Sequence, residues 1–559
     1  MSTLTAPHTG RPTGGPTSAR VDTGRTLAVP GWLPAAGWPV LVGVLVVLLA
    51  YYWDGPPYNP DSWRYYELSQ TLGGDFFRIA SRHSYQSTEP YSMGCGPLWP
   101  ILVGVTAALT GTGPQAGLLA AAGCVLAMAA VLSVLGRRIG VPGLGPLVTV
   151  GLLGFVPFLD EMITARTFPL AGLLLSLLIL ALVSTDQRAA TAWPAAGAAA
   201  GGLVLTRPDT LPAVLLLAVL LVVIRRRDWR WLVPAGLVLA LVMSPWAVYG
   251  LAHFGTPFPA DNRIIAMAVP QLYVTDVIDV DQLPTATDDP VGWLARLAGN
   301  APAAVLQAAK AAVWAPTVVA TTVAAGLLLL RSRGLQLFRS RGLQLRPRRR
   351  PLRRGSRWLS VSLAALAACT AQVAFSEIST GYLSRRYLSL AVLLMLLSAV
   401  ALIWRTPAPA RLAGRRTGHV VGVLLLTLPA GWALGYQLTT VPPDPESLTG
   451  GVVEQELRRC RSDGTLTIVT STEVGRHSAL TGRPTAFFPD NFADIPVAQR
   501  RDWIATWGID QLYLLPLPAD ADPQTVQRHD EPRSLLATAA RVTPDPCATA
   551  GRLYQVSLE

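Results

Sequence analysis

The chain has 559 residues, 51% of them hydrophobic and only 14% charged, and its mean hydropathy is +0.38. Those values lie far from the soluble average and exclude a water-soluble globular enzyme of this length. The net charge of +12 does not mark a nucleic-acid binder, because no basic domain interleaved with aromatic residues accompanies it.

Residues 1–33 are rich in Gly, Pro, Thr and Arg and lack the short basic and apolar regions of a cleavable signal, which predicts a disordered cytoplasmic tail. Arg11, Arg20 and Arg25 hold that tail inside, so a first helix from about Trp38 to Trp53 delivers YNPDSWRYYEL, residues 58–68, to the outer face. Further spans are expected near 115–135, 143–158, 168–184, 190–206, 210–224, 231–252, 303–330, 358–374, 387–404 and 418–438. On this count Arg137-Arg138, Arg225-Arg226-Arg227, the loop from Arg331 and the stretch from Arg405 to Arg416 all fall inside, as the positive-inside bias requires. The run 97–113 is the shortest candidate and contains Pro97 and Pro100; it reads as a tilted or partly inserted outer segment, and the total is eleven or twelve spans.

The loop 331–357 carries eleven arginines and no acid, including an octapeptide that recurs as RSRGLQLF and RSRGLQLR. It supplies nearly the whole basic excess and reads as a cytoplasmic loop touching anionic membrane lipid. The outer face collects residues 54–96, 253–302, a short turn from Glu377 to Arg386, and everything from 441 to 559. In that last piece TLTIVTST (465–472) and IDQLYLLP (509–516) read as strands, while 497–507 and 523–540 read as helices, which predicts a small extracytoplasmic α/β domain. Domain organisation is therefore a tail at 1–33, a transmembrane domain at 34–440 and the α/β domain at 441–559.

Cys95, Cys124 and Cys369 lie in or beside apolar segments and read as small buried hydrophobes. Cys460 and Cys547 both fall in the C-terminal domain, where a disulfide and two free thiols are equally open. The six histidines show no metal-ligand spacing, and neither GxSxG nor GxxxxGK[ST] occurs, which removes the usual support for a hydrolase, metalloprotease or nucleotide-driven pump. What remains is acids and arginines at membrane edges: Asp61, Asp160-Glu161 near Arg166, and Arg207 with Asp209. Ionisable groups at such depth are costly and tend to be paired or functional.

In chain order these features resemble the GT-C class of polyprenyl-phosphate-sugar-dependent glycosyltransferases, which includes protein mannosyltransferases, aminoarabinose transferases and actinobacterial arabinosyl- and mannosyltransferases. Asp61 to Ser69 is similar to the D-x-x-x-Y-x-x-x-A pattern of their first outer loop, and Gly96-Pro97-Leu98-Trp99-Pro100 resembles the Pro-Leu segment that follows. Gly201 to Asp209 resembles a Gly-rich span ending in Thr-Arg-Pro-Asp, Phe254 to Asn262 a Pro-Asn loop, and Ser384-Arg385-Arg386-Tyr387-Leu388 an Arg-Tyr-Leu segment before a late span. The series departs from the family in two places: Ser62 stands where many members have a second acid, and the lysine after the Pro-Asn loop is missing, with Arg263 as its substitute.

The resemblance implies an inverting transferase in a polytopic α-helical GT-C-like fold, multi-pass in the plasma membrane. It implies Asp61 as general base, Arg385, Arg386 and Arg207 as holders of the donor phosphate, and Trp63, Tyr65, Tyr66, Asp160, Glu161 and Arg263 as substrate contacts. Its partners would be a polyprenyl-phosphate-sugar donor and a cell-envelope glycan, lipid or protein acceptor; the pattern names no cofactor and leaves a divalent metal open. Read without the resemblance, Asp61 is a helix N-cap, Trp63, Tyr65 and Tyr66 are an interfacial belt, and the arginines anchor helices to headgroups. A transporter or flippase of a lipid-linked glycan would favour inverted repeats and charges near span centres, and neither is evident. A non-catalytic envelope assembly protein is the third reading.

Overall fold

The computed structural model describes residues 32–73, 81–82, 96–141, 143–185, 188–224, 229–254, 257, 290–292, 294–295, 298–302, 357–380, 385–405, 415–460, 466–470, 474–488, 492–515, 522–547 and 553–558. The expected tail, the span at 303–330, the arginine-rich loop and Arg263 lie outside these residues, apart from Arg357.

The chain enters through α1 (Trp32–Tyr52) and turns into α2 (Pro60–Gln70), the helix that carries Asp61. Asn59 caps α2: its Oδ1 accepts the Ser62 backbone N–H at 3.0 Å, and Pro60 supplies the preset first helical residue. The cap is thus Asn59 and not Asp61, which corrects the bland expectation and leaves the Asp61 carboxylate free to point elsewhere. α3 (Leu98–Thr110) is 13 residues long and ends at Gly111 in the left-handed region; at 1.5 Å per residue it reaches about 20 Å, short of the hydrocarbon thickness.

The remaining helices fall close to the expected spans. They are α4 (Gln115–Ile139), α5 (Leu144–Leu153), α6 (Val156–Ile163), α7 (Phe168–Ser184), α8 (Ala189–Thr206), α9 (Leu211–Ile224) and α10 (Leu232–Phe254), followed by α11 (Arg357–Thr380), α12 (Ser389–Arg405) and α13 (Arg415–Thr440). One expectation changes. The expected span 143–158 is two helices, α5 and α6, bent by 89° at Gly154-Phe155. Asp160 and Glu161 therefore sit within the second arm. Among the described residues, Gln115–Ile139 and Trp229–His253 are long and apolar enough to cross a membrane, and the bent pair would make a third if it is one span. Apolar stretches of 10–17 residues, among them Leu98–Thr110 and Phe168–Ser184, accompany them.

The apolar core of the bundle runs through α1, α4, α5, α7, α8 and α12, with Leu48, Met128, Leu152, Phe168, Trp193 and Leu396 buried. Leu215, Leu237, Leu241 and Leu428 are exposed, as expected for helix faces in contact with lipid rather than water.

After α13 the chain forms α14 (Glu446–Thr449), α15 (Val452–Arg459), β2 (Leu466–Val469), α16 (Val474–Thr481), β3 (Thr485–Phe487), α17 (Val497–Trp507), β4 (Ile509–Tyr513), α18 (Pro523–Ala537), β5 (Arg541–Pro544) and β6 (Leu553–Ser557). The two expected strands and two expected helices are present. The sheet has the order β1-β3-β2-β4-β6-β5, where β1 is Ser81–Arg82 from between α2 and α3 and pairs parallel with Thr485 and Ala486. Ser81–Arg82 is thus built into the C-terminal sheet, a connection that hydropathy cannot foresee. Ile468, Leu512, Ile504, Phe492 and Leu536 fill the core of this layer.

Cys460 and Cys547 are joined by a disulfide with Cα atoms 5.4 Å apart, closing the alternative left open by the sequence. Beside it, buried Arg483 donates to the Leu457 and Cys460 carbonyls at 3.1 Å and to Gln511 Oε1 at 2.8 Å, while Gln511 Nε2 donates to Asp545 at 3.0 Å. The network supplies partners to the Arg483 and Gln511 side chains that the sheet buries there.

Candidate active site

The site forms where four separated pieces of sequence converge: the N-terminus of α2, the end of α6, the Thr206-Arg207-Pro208-Asp209 corner after α8, and the 3₁₀ turn Arg385–Leu388 before α12. Arg386 Nη1 donates to Asp61 Oδ2 at 2.7 Å. The same guanidinium lies 3.7 Å from Glu161 Oε1, and Arg166 Nη1 lies 4.0 Å from Asp61 Oδ2.

Arg166 is the hub. Its Nε lies 3.0 Å from Glu161 Oε1 and donates to Thr164 Oγ1 at 2.9 Å, and its Nη2 pairs with Asp160. The backbone arranges this at a cost. Ala165 has a φ of 53°, in the left-handed region that a side chain with a Cβ disfavours by roughly 1–2 kcal/mol. Trp99 Nε1 holds the strained Ala165 carbonyl at 3.0 Å, and the turn aims the Arg166 side chain back over α6.

Two arginines therefore face three carboxylates, and the carboxylates differ in exposure. The Glu161 side chain is 1% exposed, whereas that of Asp61 is 48% exposed. Asp61 is thus paired with Arg386 yet reachable from solvent. Burial pushes its carboxyl up, but the charge and hydrogen bond of Arg386, helped by Arg166 and Arg64, outweigh it and hold Asp61 below the usual carboxylate range. Its position in the first turn of α2 adds the positive end of the helix dipole. The result is an ionised, accessible carboxylate next to a cation that can also meet a phosphate.

The second arginine corner is adjacent. Arg207 Nε and Nη2 grip Asp209 at 3.1 and 2.8 Å, Nη1 donates to Thr167 Oγ1 at 3.2 Å, and the guanidinium lies over Phe168 at 4.1 Å and Tyr387 at 4.9 Å. Tyr387 stands between the two arginines, since Arg386 lies 5.7 Å from the same ring. A small recess opens here, with Arg207, Asp209 and Gln372 at its polar side and Cys369, Val373 and Leu390 at its apolar side. Gly96 makes the corner compact: a Cβ there would lie 2.1 Å from the Leu205 carbonyl oxygen.

Of the expected site residues, Asp61 and Glu161 meet Arg386 directly, Asp160 joins them through Arg166, and Arg207 joins them through Tyr387. Arg385 is exposed in the same turn. Tyr65 and Tyr66 are partly exposed. Trp63 requires a correction: it is 0% exposed, packed edge-on between Tyr58 and Tyr66 at 5.3 and 5.9 Å, so its ring cannot stack on a sugar. Its role is to seat α2. Arg166, named in the sequence only as a neighbour of two acids, proves central. The available signal was its spacing, five and six residues after two acids on a helix that ends between them. Among the described residues no group of three or more His, Cys, Asp or Glu side chains is placed to hold a metal ion.

No protein-family model matches the chain, and no curated protein matches it by sequence. Solved structures do. The crystal structure of ArnT from Cupriavidus metallidurans bound to undecaprenyl phosphate aligns with a TM-score of 0.55 at 15% identity, covering 93% of this chain and 98% of that one. The same protein in the apo state gives 0.43 at 15% identity over the same shares. The archaeal oligosaccharyltransferase AglB from Archaeoglobus fulgidus, in complex with an inhibitory peptide and a dolichol-phosphate, gives 0.49 at 12% identity, covering 95% of this chain and 75% of that one. The likeness to lipid-bound ArnT shows that this chain has the same fold along nearly its whole length. It is the GT-C fold that the motif series implied.

Proposed function

We propose that this chain is an integral-membrane glycosyltransferase of the GT-C type, moving a sugar from a polyprenyl-phosphate donor to a cell-envelope acceptor on the outer face. The observation that carries the reading is the meeting of the solvent-reachable Asp61 carboxylate with Arg386 and Arg166, in a fold shared with a protein bound to undecaprenyl phosphate. In this reading the N-terminus is cytoplasmic, eleven or twelve segments cross the membrane, and the C-terminal sheet lies outside.

The chemistry is a single displacement. The acceptor hydroxyl oxygen forms a bond to the anomeric carbon as the bond from that carbon to the phosphate oxygen breaks, and the departing electron pair stays on the polyprenyl phosphate. Asp61 takes the hydroxyl proton, and inversion follows from attack opposite the leaving group. A carboxylate held below its ordinary range is ionised at neutral pH and takes the proton late, once bond formation has made the hydroxyl acidic. Arg386 receives the growing phosphate charge, with Arg207 reinforcing the field from across Tyr387. Arg166 keeps Asp160 and Glu161 neutralised so that two further acids do not repel the donor. Tyr65 and Tyr66 supply partly exposed rings for a sugar face.

The test is transfer of radiolabelled sugar in membranes charged with a panel of polyprenyl-phosphate sugars, comparing wild type with Asp61→Asn at matched expression. Label reaching an envelope acceptor with wild type, and a rate lower by about 10²- to 10⁴-fold with Asp61→Asn, is expected for loss of a general base. Equal transfer by both would remove Asp61 from the chemistry.

A further inference from the structure

We infer that the C-terminal layer is a clamp on the catalytic helix, and that Glu67, Ser478 and Gly475 are positioning residues that set where Asp61 stands. The inference rests on the proposed transferase reading for its kinetic consequence, but the clamp itself is a matter of packing.

An α-helix advances 100° per residue, so Trp63 and Glu67, four apart, share one stripe of α2, while Asp61 is about 200° away from Trp63 on the opposite side. α16 occupies the first stripe. Ser478 Oγ donates to Glu67 Oε1 at 2.8 Å, and both residues are buried, at 2% and 6% exposure. One turn earlier on α16, Gly475 lies so close to α2 that an added Cβ would stand 3.2 Å from Trp63 Cβ and 3.3 Å from the Arg64 nitrogen. The opposite side of α2 offers Asp61 to Arg386. The helix is thereby held from behind by the C-terminal layer and presented in front to the acid-arginine cluster.

α16 is itself anchored. Arg476 lies 3.3 Å from Asp444, 3.1 Å from Glu446 and 3.3 Å from Glu454, and His477 Nδ1 pairs with Glu454 Oε1 at 2.7 Å. Asp444 in turn donates its backbone N–H to the Gly55 carbonyl at 2.9 Å, just ahead of α2. The path from the end of α13 through α16 to α2 runs from the partly exposed acids Asp444 and Glu446 to the buried Arg476, His477 and Glu454 and on to the buried Ser478–Glu67 pair, so its inner part transmits position rather than absorbing it. A buried carboxylate on α2 at Glu67 is costly unless its partners are fixed in place. That makes the register of α2 against α16 specific, where an apolar contact would tolerate sliding.

The experiment compares Ser478→Ala, Gly475→Ala and the conservative Glu67→Gln in the full-length protein in detergent or nanodiscs. Two readouts are taken: hydrogen exchange of the α2 and α4 amides, and transfer kinetics with the donor panel. Expected for Ser478→Ala and Gly475→Ala are faster exchange confined to α2 and a kcat lower by about 10- to 100-fold with KM for the donor unchanged, because small misplacement of a reacting group costs that much. The acid limb of kcat should also move to higher pH, since Asp61 drawn away from Arg386, Arg166 and Arg64 titrates closer to an ordinary carboxylate. Glu67→Gln keeps an oxygen acceptor for Ser478 and should retain most of the activity. Unchanged α2 exchange in both clamp variants, or wild-type kcat and pH profile in them, overturns the inference. If a variant is lost during expression, the other variant decides it. Absence of transfer by wild type with every donor would sink the transferase reading alone, while the exchange measurement would still decide the clamp.

Discussion

Asp61 and Arg386 are 325 positions apart in the chain and meet through a 2.7 Å contact between Oδ2 and Nη1. That pair joins the first turn of α2 to the turn before α12, and in the proposed reading it gives one arginine two partners: the carboxylate it holds and the phosphate of a donor. In that reading a donor phosphate that engages Arg386 draws away the strongest influence lowering the Asp61 pKa, which couples donor binding to the strength of the proposed base.

This coupling predicts a pH profile. With its folded pKa below the ordinary 3.8, Asp61 stays ionised as pH falls from 8 to about 5, and kcat/KM should show no acid limb from this group in that window. In Arg386→Gln the raising effect of burial is left less opposed. The acid limb of kcat/KM should then move up in pH, together with a higher KM for the donor. A limb already present near pH 6 in wild type, and insensitive to Arg386→Gln, would assign the base elsewhere.

Arg166 carries a structural prediction. Glu161 is 1% exposed and depends on Arg166 at 3.0 Å and Arg386 at 3.7 Å for its compensation. Arg166→Ala leaves that carboxylate short of a cation and should destabilise the bundle by about 3–5 kcal/mol, as breaking a buried pair does. Adding Glu161→Gln should restore much of the loss. Thermal unfolding of the purified protein, monitored by tryptophan fluorescence, measures both.

Glu454 predicts an acid-labile seat for α16. Burial raises its pKa, but the hydrogen bond and charge of His477, with the charge of Arg476, bring it down to about 2 from 4.5. A group depressed on folding contributes stability that is complete above its unfolded pKa and is lost as pH falls through the folded one. Protease resistance of the α15–α16 region should therefore persist at pH 5 and decay between about 4.5 and 2. Glu454→Gln should be less resistant at pH 7 and show little further decline across that window.

The disulfide predicts a redox-dependent C-terminal layer. Cys460 and Cys547 close a loop with a sequence separation of 87, and removing such a cross-link costs roughly 2–5 kcal/mol. Cys547→Ser, or reduction by dithiothreitol, should lower the unfolding temperature of the sheet while the bundle transition stays in place. If α16 is a clamp, α2 should also lose protection as the layer loosens. Circular dichroism melts with and without reductant separate the two transitions.

Most of the described bundle helices and their order were legible in the sequence, because a long apolar run favours a helix that satisfies its own backbone hydrogen bonds. The sequence also determined two strands and two helices of the C-terminal layer, since period and turn residues are local properties. The acid at Asp61 and the arginine at Arg386 were legible as members of a motif series. The tertiary structure decided the rest. It joined Asp61 to Arg386, made Arg166 the hub by way of a strained Ala165, buried Trp63 where an exposed ring was expected, broke the 143–158 run at Gly154, and inserted Ser81–Arg82 into a sheet some 400 residues away. Each of these depends on close approach between segments distant in the chain. Hydropathy and spacing report what a segment does to its solvent, whereas ion pairs of 3 Å and strand registers report which other segment stands next to it, and only packing the whole chain selects that neighbour.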